Sequence, residues 1–324
     1  MTFAALPPEL RDAIEQLVHA APQQSLAARA ARTSDAYRDG RGSDATIRDA
    51  GDVAAYLAAR LPATYAAIAA SLNAVAARAP GFFPQSLLDF GSGPGTASWA
   101  AAQAYPSLHT ITMFDRSTAL LKAAKELAQT AGNPALQNAQ IMNGGLASHE
   151  TAAAHDLVLA GYVFAELPEA ELKQTAKRLW TLCSGILLIV EPGTPAGFER
   201  IRMIRETLLS QGGSIAAPCP GACVCPIASP DWCHFTVRLP RSRTHMRAKG
   251  ADVPFEDEKF SYVAFAREHI ALQPIQARIL ARPHVMKPGI RFKLCTAEGI
   301  VDRTITKRDT AYKTATRKDW GDDV

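Results

Sequence analysis

The spacing of apolar residues divides the chain into a helical first part and an alternating second part. Up to about residue 80, apolar positions recur every three or four residues. This predicts a helix that opens at Pro7 and alanine-rich helices at 52–60 and 62–79. From 81 to 212, short apolar runs alternate with helical patterns, as a doubly wound parallel sheet requires. The polar stretch 38–44 predicts a mobile loop before the alanine-rich pair.

A glycine-rich turn near residue 90 follows the first predicted strand and precedes a helix. Glycine permits positive φ and close approach of a ligand, and a helix N-terminus offers N–H groups and the positive end of a dipole. The pattern is Asp89-x-Gly91-x-Gly93-x-Gly95, with Thr96 where a dinucleotide fold needs its third glycine. It resembles the first motif of class I S-adenosylmethionine methyltransferases, which implies S-adenosylmethionine as the cofactor.

Three polar positions after the next strands complete the predicted cofactor site. Asp115 ends the second strand 24 residues after Gly91, near the roughly 20 expected for a ribose-binding carboxylate. Asn143 opens a turn that usually faces the adenine in the methyltransferase fold, and Tyr162 follows the strand that begins at Asp156. No Asn/Asp-Pro-Pro-Tyr signature and no clear catalytic base follow that strand, so the catalytic residues are unassigned.

Composition indicates a globular protein. The 324 residues are 48% hydrophobic, and no apolar run approaches the roughly 20 residues of a membrane helix. The N-terminus carries early acidic residues and no signal-peptide core. We therefore predict a cytoplasmic location of bacterial type, no membrane partner and no disulfides.

The positive charge is concentrated in the C-terminal third. The whole chain has a net charge of +4, whereas the part from Cys219 onward contains 18 Lys and Arg against 12 Asp and Glu. A basic excess of this kind favours an anionic partner, with nucleic acid the obvious choice. A solvated basic surface is the alternative.

Four of the six cysteines lie between positions 219 and 233, among prolines and a glycine. Clustered thiols in a cytoplasmic chain indicate a metal rather than disulfides. Zinc could take three of these cysteines together with His234 or His245. An iron–sulfur cluster would instead take four thiolates. The spacing does not choose between these two sites.

Several short motifs in this region occur together in one known family. They are Pro218-Cys-Pro, Trp232-Cys-His-Phe, Arg241-Ser-Arg and Phe255-Glu-Asp-Glu-Lys-Phe-Ser-Tyr. With the glycine turn, they make residues 30–324 similar to the methyltransferase-like assembly factors of the mitochondrial small ribosomal subunit and their bacterial relatives.

This resemblance implies a [4Fe–4S] cluster held by four cysteines, which match here as Cys219, Cys225, Cys233 and Cys295 and leave Cys223 spare. It also implies binding to small ribosomal subunit RNA and to assembly intermediates, with no DNA partner. Methyltransferase activity is not implied.

Basic residues of the C-terminal third agree with an RNA partner. They lie near a predicted helix at 243–247 and on or beside predicted strands at 290–296 and 300–307. Such side chains neutralise phosphates without reading base sequence. The predicted RNA-binding residues are Arg241, Arg243, Arg247, Lys249, Lys293, Lys307 and Arg308.

These observations predict an α/β class I (Rossmann-like) methyltransferase fold. A helical region at 1–80 precedes the methyltransferase-like domain at 81–212, and a cysteine-cluster and basic β module occupies 213–324. The predicted function is an S-adenosylmethionine-binding, [4Fe–4S]-containing factor in small-subunit assembly or translation. The alternatives are an active RNA methyltransferase with a structural zinc site and a small-molecule methyltransferase.

Overall fold

The computed structural model describes residues 5–21, 25–38, 46–145 and 153–324. The predicted mobile loop at 38–44 lies outside the described residues apart from Arg38. The helices are α1 (Pro8–Ala20), α2 (Leu26–Arg38), α3 (Ala50–Ala59), α4 (Leu61–Arg78), α5 (Thr96–Ala104), α6 (Thr118–Gln129), α7 (Pro134–Gln137), α8 (Glu169–Thr181), α9 (Pro195–Leu209), α10 (Arg243–Lys249) and α11 (Tyr312–Ala315). The strands are β1 (Ser86–Phe90), β2 (Thr110–Asp115), β3 (Gln140–Asn143), β4 (His155–Gly161), β5 (Cys183–Pro192), β6 (Ser214–Ala217), β7 (Phe235–Pro240), β8 (Phe255–Ala266), β9 (Ala277–Ile279), β10 (His284–Val285), β11 (Gly289–Thr296) and β12 (Ile300–Thr306).

A central sheet runs in the order β3-β2-β1-β4-β5-β8-β6, and β7 also pairs with β8. Strands β1 to β5 are parallel to one another. Strand β8 is antiparallel to its three partners, β5, β6 and β7. The strand order reverses between β1 and β4, and ligands of open α/β sheets bind at the carboxyl ends of the strands at such a point. The predicted α/β methyltransferase fold is confirmed.

The sheet buries an apolar core on each of its faces, because successive residues of a strand point to opposite sides. In β1, Leu87 packs into the core that contains α1, α3, α4 and α5, and Leu88 packs into the core that contains α8 and α9. In β5, Leu188 and Leu187 repeat this alternation. Burial on both faces explains why these strands are near-continuous apolar runs in the sequence.

Strand β8 is twelve residues long and pairs with three other strands. Residues 260–266 pair with β5, and 264–266 also pair with β6 on the other edge. Residues 255–260 pair with β7 on that same edge. The segment 218–234, which contains four cysteines, therefore leaves the sheet between β6 and β7. The boundary predicted after residue 212 falls inside this sheet.

A second, antiparallel sheet has the order β10-β11-β12, with β9 also paired to β11. The hairpin predicted at 290–296 and 300–307 is present as β11 and β12. On β11, Cys295 lies opposite Arg278 of β9. The apolar core of this sheet is formed by Ala277, Ile279, Ile290, Phe292, Leu294 and Ala315.

The N-terminal helices are joined by a buried carboxylate. Asp52 of α3 is 1% exposed, and its Oδ1 accepts a hydrogen bond from Arg29 Nη1 at 2.7 Å and pairs with Arg32. A carboxylate removed from water needs such cations to offset its lost hydration.

No single helix in the described part of the chain has the length and hydropathy of a membrane span. Helices α3 and α4 have the required length and hydropathy only when taken as a pair, and a 46° bend separates them.

Candidate cofactor pocket and cysteine cavity

Three glycines form the turn between β1 and α5. Gly91, Gly93 and Gly95 have φ values of 69°, 52° and 82°, which glycine adopts without the strain of a Cβ atom. A Cβ added at Gly91 would also lie 2.4 Å from Val163 Cγ2, and one at Gly95 would lie 3.1 Å from Met113 Sδ. The backbone therefore needs glycine at these positions whether or not a ligand binds.

Asp115 ends β2 beside this turn and ties the two together. Its Oδ2 accepts a hydrogen bond from Gly93 N at 2.8 Å, and its Oδ1 accepts one from Ser117 N at 2.7 Å. The side chain is 8% exposed. The turn and the carboxylate face a cavity of about 120 Å³ at the carboxyl end of the sheet. Its lining includes Gly91, Gly93, Asp115, Tyr162 and Glu166.

Asp89 and Gly95 lie behind the turn and are not among the described residues that line the cavity. The Oδ2 atom of Asp89 accepts hydrogen bonds from Ser98 N at 2.9 Å and Ser98 Oγ at 2.7 Å. Burial outweighs these hydrogen bonds and raises the pKa of Asp89 to about 7. Asp89 therefore fixes the first turn of α5 against β1.

Asn143 connects the ends of β2 and β3. Its side-chain amide donates to the backbone oxygens of Asp115 and Arg116 at 3.3 and 2.9 Å. Asn143 is not among the described lining residues of the cavity, whereas the next two residues, Gly144 and Gly145, are. The turn expected to face an adenine thus reaches the cavity through its glycines.

Tyr162 lies at the exit of β4 with a φ of 62°, which is uncommon for a residue with a bulky side chain. Its hydroxyl donates to Glu258 Oε1 at 2.9 Å, and its ring lies 4.9 Å from the guanidinium carbon of Arg60. Burial is the main cause that raises the pKa of Tyr162 well above its ordinary value. These contacts hold a strained backbone residue at the cavity wall.

Two further lining residues, Tyr56 and Arg60, come from α3 and the junction between α3 and α4. Sequence reasoning assigned no chemistry to these helices. No local motif distinguishes either residue, because the alanine-rich sequence around them shows only the apolar spacing of a helix. Only the packing of α3 and α4 against the sheet brings them to the glycine turn.

Five of the six cysteines line a second cavity. The segment between β6 and β7 contributes four of them, and β11 contributes the fifth. Cys183, at the start of β5, is buried in the apolar core instead. The structure therefore brings the four predicted ligands together and adds one more thiol. The five are Cys219, Cys223, Cys225, Cys233 and Cys295.

Buried arginines from three elements hold the backbone that enters this cavity. Arg78 of α4 donates to Ala216 O at 2.9 Å, and Arg278 of β9 donates to Pro218 O at 2.8 Å. Arg205 of α9 donates to the backbone oxygens of residues 221 and 223 at 3.3 and 2.6 Å. Buried carbonyl groups need partners, and this irregular segment has no ladder to supply them.

The cysteine thiols are the main metal-ligating groups at this cavity, which is also lined by the hydroxyl-bearing Ser261 and Tyr262. Among the described residues, no His, Asp or Glu lines it. His234 stacks on Trp232 with ring centroids 5.0 Å apart, and the Nε2 of His245 is 3.1 Å from Glu256 Oε2. Within the described ranges, no three His, Cys, Asp or Glu side chains are arranged to hold a metal ion.

Burial favours the neutral form of three of these thiols, those of Cys219, Cys233 and Cys295. It is the largest cause that raises the pKa of Cys295 to about 12 and the pKa of Cys233 well above its ordinary value. Burial also raises the pKa of Cys219, while the nearby charge of Arg205 acts in the opposite direction. Ionising several neighbouring thiols here requires a positive group among them.

The predicted RNA-binding residues divide into two groups. The first group forms ion pairs within the chain: Arg241 and Lys249 pair with Glu256, and Lys293 pairs with Asp231 at 2.7 Å. The second group is exposed at the ends of α10 and β12. Its members are Arg243, Arg247, Lys307 and Arg308.

Glu256 receives three basic side chains, from Arg241, His245 and Lys249. Burial on its own would raise the pKa of Glu256. Hydrogen bonds and charges from His245 and Lys249 outweigh burial and lower that pKa to about 2. Glu256 is therefore the internal partner of two of the predicted RNA-binding residues, Arg241 and Lys249.

Comparison with protein families identifies the chain. The family described as mitochondrial small ribosomal subunit Rsm22 matches residues 50–324. The chain belongs to the Rsm22 family. The matched range extends from α3 to the C-terminus and includes the glycine turn and all five cavity cysteines.

Curated relatives of this Rsm22-family chain include a human and a fission yeast protein. Ribosome assembly protein METTL17, mitochondrial, from Homo sapiens is 29% identical over 82% of this chain and 61% of that protein. Rsm22-cox11 tandem protein 2, mitochondrial, from Schizosaccharomyces pombe is 23% identical over 74% of this chain and 38% of that protein. The chain thus spans less than two thirds of the length of either relative.

Similar solved structures are methyltransferases. Magnesium protoporphyrin IX methyltransferase from Synechocystis is 16% identical with a TM-score of 0.42, over 73% of this chain and 91% of that one. An O-methyltransferase family protein from Burkholderia thailandensis is 14% identical with a TM-score of 0.43, and the match covers 68% of this chain and 60% of that one. Similarity at this level does not transfer a substrate or an activity.

The predicted cytoplasmic location of bacterial type is wrong by these comparisons. The Rsm22 family and the matched relatives are all described as mitochondrial. The prediction relied on the composition of the N-terminus. The composition of an N-terminus is weak evidence against a mitochondrial location, so it could not exclude one.

We expect Glu256→Gln to lower the free energy of unfolding at pH 7 by about 3 kcal/mol. The folded pKa of about 2 lies below the ordinary value of 4.5, so this stability is fully present above pH 4.5 and is lost as the pH falls through about 2. Urea unfolding at pH 7 and pH 3 measures the effect, and the difference from wild type should fall to roughly half at pH 3. The exposed Glu268→Gln is the control. An equal difference at both pH values would contradict the assignment.

Proposed function

We propose that this Rsm22-family chain is an S-adenosylmethionine-binding, [4Fe–4S]-containing factor that acts on small ribosomal subunit RNA during assembly or translation. The observation that carries the proposal is the convergence of five cysteines, including the distant Cys295, on one cavity beside a methyltransferase-type sheet. The relative named as a ribosome assembly protein supports the same role. Methyl transfer is no part of the proposal.

The cavity at the glycine turn fits S-adenosylmethionine. The donor set there combines the backbone of a left-handed glycine turn at a helix N-terminus with one acidic side chain at the end of β2. In this proposal Gly91 and Gly93 face the methionine part, and Asp115 binds the ribose hydroxyls. When bound, the sulfonium supplies an activated methyl group, and the protein supplies alignment.

The cysteine cavity fits an iron–sulfur cluster in its donor chemistry. Four thiolates are the usual ligands of a [4Fe–4S] cluster, and the family pattern selects Cys219, Cys225, Cys233 and Cys295. A site of three cysteines and one histidine lacks its histidine here, because His234 and His245 have other partners. A bound cluster would join β11 to the segment between β6 and β7, and closing so long a loop stabilises the fold.

Asp115→Asn should weaken S-adenosylmethionine binding by roughly 10- to 100-fold. Loss of the charge removes about 1.5–3 kcal/mol of hydrogen bonding to the ribose. Isothermal titration calorimetry with S-adenosylmethionine measures the change. Asp156→Asn is the matched control, because that carboxylate lies at the amino end of β4 and binds Gln85 N at 2.8 Å. Equal affinities for the Asp115 variant and wild type would exclude this carboxylate from the site.

Cys295→Ser should abolish the iron content and the visible absorbance of the anaerobically purified chain and lower its melting temperature. The wild type should contain about four irons per chain. Cys223→Ser tests the spare thiol of the same cavity, and Cys183→Ala tests a thiol outside it; both should retain iron. A Cys295 variant with wild-type iron would overturn the four-ligand assignment. Iron loss in the Cys223 variant would place that thiol among the ligands.

Arg243→Ala combined with Arg247→Ala should weaken binding to small-subunit RNA and make it less sensitive to salt. Each lost phosphate contact should reduce the slope of log K against log salt by about 0.7 for single-stranded RNA. Filter binding at several salt concentrations measures both quantities. Lys173→Ala with Lys177→Ala is the matched control, since these exposed residues are also four apart on a helix. Equal losses in both double variants would remove α10 from the RNA surface.

The alternative function, an active RNA methyltransferase with a structural zinc site, makes opposite predictions in the same experiments. It requires a colourless chain with one zinc and transfer of labelled methyl groups to small-subunit RNA. An all-cysteine zinc site is compatible with the donor set. Iron and zinc analysis of the purified wild type therefore decides first between the two metals.

A further inference from the structure

Arg205 is a buried cation with no carboxylate partner among the residues that the structure describes. The side chain is 4% exposed and lines the cysteine cavity from α9. Its Nη2 donates to two backbone oxygens, and its Nε has no hydrogen-bond partner in the part of the chain that the structure describes. A buried charge without an opposite charge costs several kcal/mol. The structure therefore places a positive charge on the wall of the cavity that the cysteines line.

Another arginine of the same helix shows the usual arrangement. Arg200, one and a half turns before Arg205, donates through Nε to the buried Glu191 at 2.6 Å. The exposed Arg202 pairs with Glu199 at 2.7 Å. No ion pair of Arg205 occurs among the described residues. The other two arginines of α9 thus have carboxylate partners, Glu191 on β5 and Glu199 on α9, whereas Arg205 lines the cysteine cavity.

We propose that Arg205 is the counter-charge of the anionic group that the cysteines hold, and that it sets the reduction potential of that group. This inference rests on the [4Fe–4S] cluster of the proposed function. Arg205 is a positioning and tuning residue, since it ties the backbone at residues 221 and 223 and places its charge beside Cys219.

The physical reason is the charge that the cluster accumulates. Four thiolates around a [4Fe–4S] core leave a net negative charge, and one-electron reduction adds to it without taking up a proton. A fixed positive charge nearby stabilises the reduced form more than the oxidised form, because the reduced form carries more negative charge. Net charge and hydrogen bonds to sulfur are among the main determinants of cluster potential.

The test compares Arg205→Gln with Arg205→Lys in the full chain, each with its iron–sulfur cluster reconstituted under anaerobic conditions. Glutamine retains hydrogen-bond donors without the charge, and lysine retains the charge without the planar fork. Potentiometric titration with dithionite and mediator dyes, followed by absorbance and electron paramagnetic resonance, gives the midpoint potential. The glutamine variant should shift to a more negative potential, and the lysine variant should remain near wild type.

Arg267→Gln is the matched control. Arg267 also donates to backbone oxygens, those of Cys183 at 2.8 Å and Trp180 at 2.5 Å, but it does not line the cysteine cavity. Its variant should titrate like wild type. A shift of equal size in this variant would assign the effect to general destabilisation and overturn the proposal.

The remaining outcomes are also decisive. A glutamine variant that holds iron and titrates at the wild-type potential overturns the role of Arg205 and leaves the cluster intact. Iron loss in the glutamine variant alone supports the charge role of Arg205. Iron loss in both Arg205 variants would instead show that the residue acts only through its hydrogen bonds to the backbone, and this would overturn the proposal. A wild type without iron overturns the cluster of the proposed function and, with it, this inference.

Discussion

The pairing of β8 with three strands is the constraint on which both candidate sites depend. Its pairing with β5 continues the methyltransferase sheet, and its other edge holds β6 and β7 end to end. That arrangement fixes both ends of the cysteine segment. Side chains of β8 then reach each site: Glu258 accepts from Tyr162 at the cofactor cavity, and Ser261 Oγ donates to Cys233 O at 2.7 Å.

The irregular backbone between β6 and β7 shows how a segment without secondary structure is stabilised. Prolines prevent a regular ladder there, and buried carbonyl groups still require donors. Arginines from α9 and β9 donate to carbonyl groups of this segment, and Arg78 of α4 donates to Ala216 O at the end of β6, so three distant parts of the chain meet here. These hydrogen bonds offset part of the cost of burying three guanidinium groups. The fold itself thus holds the cavity in place.

Much of the fold could be predicted because its signals are local. The switch from helical spacing to short apolar runs marked α3, α4 and the strands β1 to β5, and the glycine pattern marked the turn after β1. The placement of β7 and β8 in the same sheet was missed, since β8 lies far along the chain and its first half contains four consecutive charged residues, 256–259. Tyr56 and Arg60 were also missed, because nothing in an alanine-rich helix indicates which face meets a cavity.

The sequence by itself determined the glycine turn, the acid after β2 and the identities of the thiols, since these depend on residue type and short spacing. Tertiary structure alone decided which residues meet. It moved Asp89 behind the turn, paired Arg241 and Lys249 with Glu256, and brought Cys295 to cysteines more than sixty positions earlier in the chain. The physical reason is that contacts between distant segments follow from strand pairing and burial of charge, and neither leaves a periodic mark on the sequence.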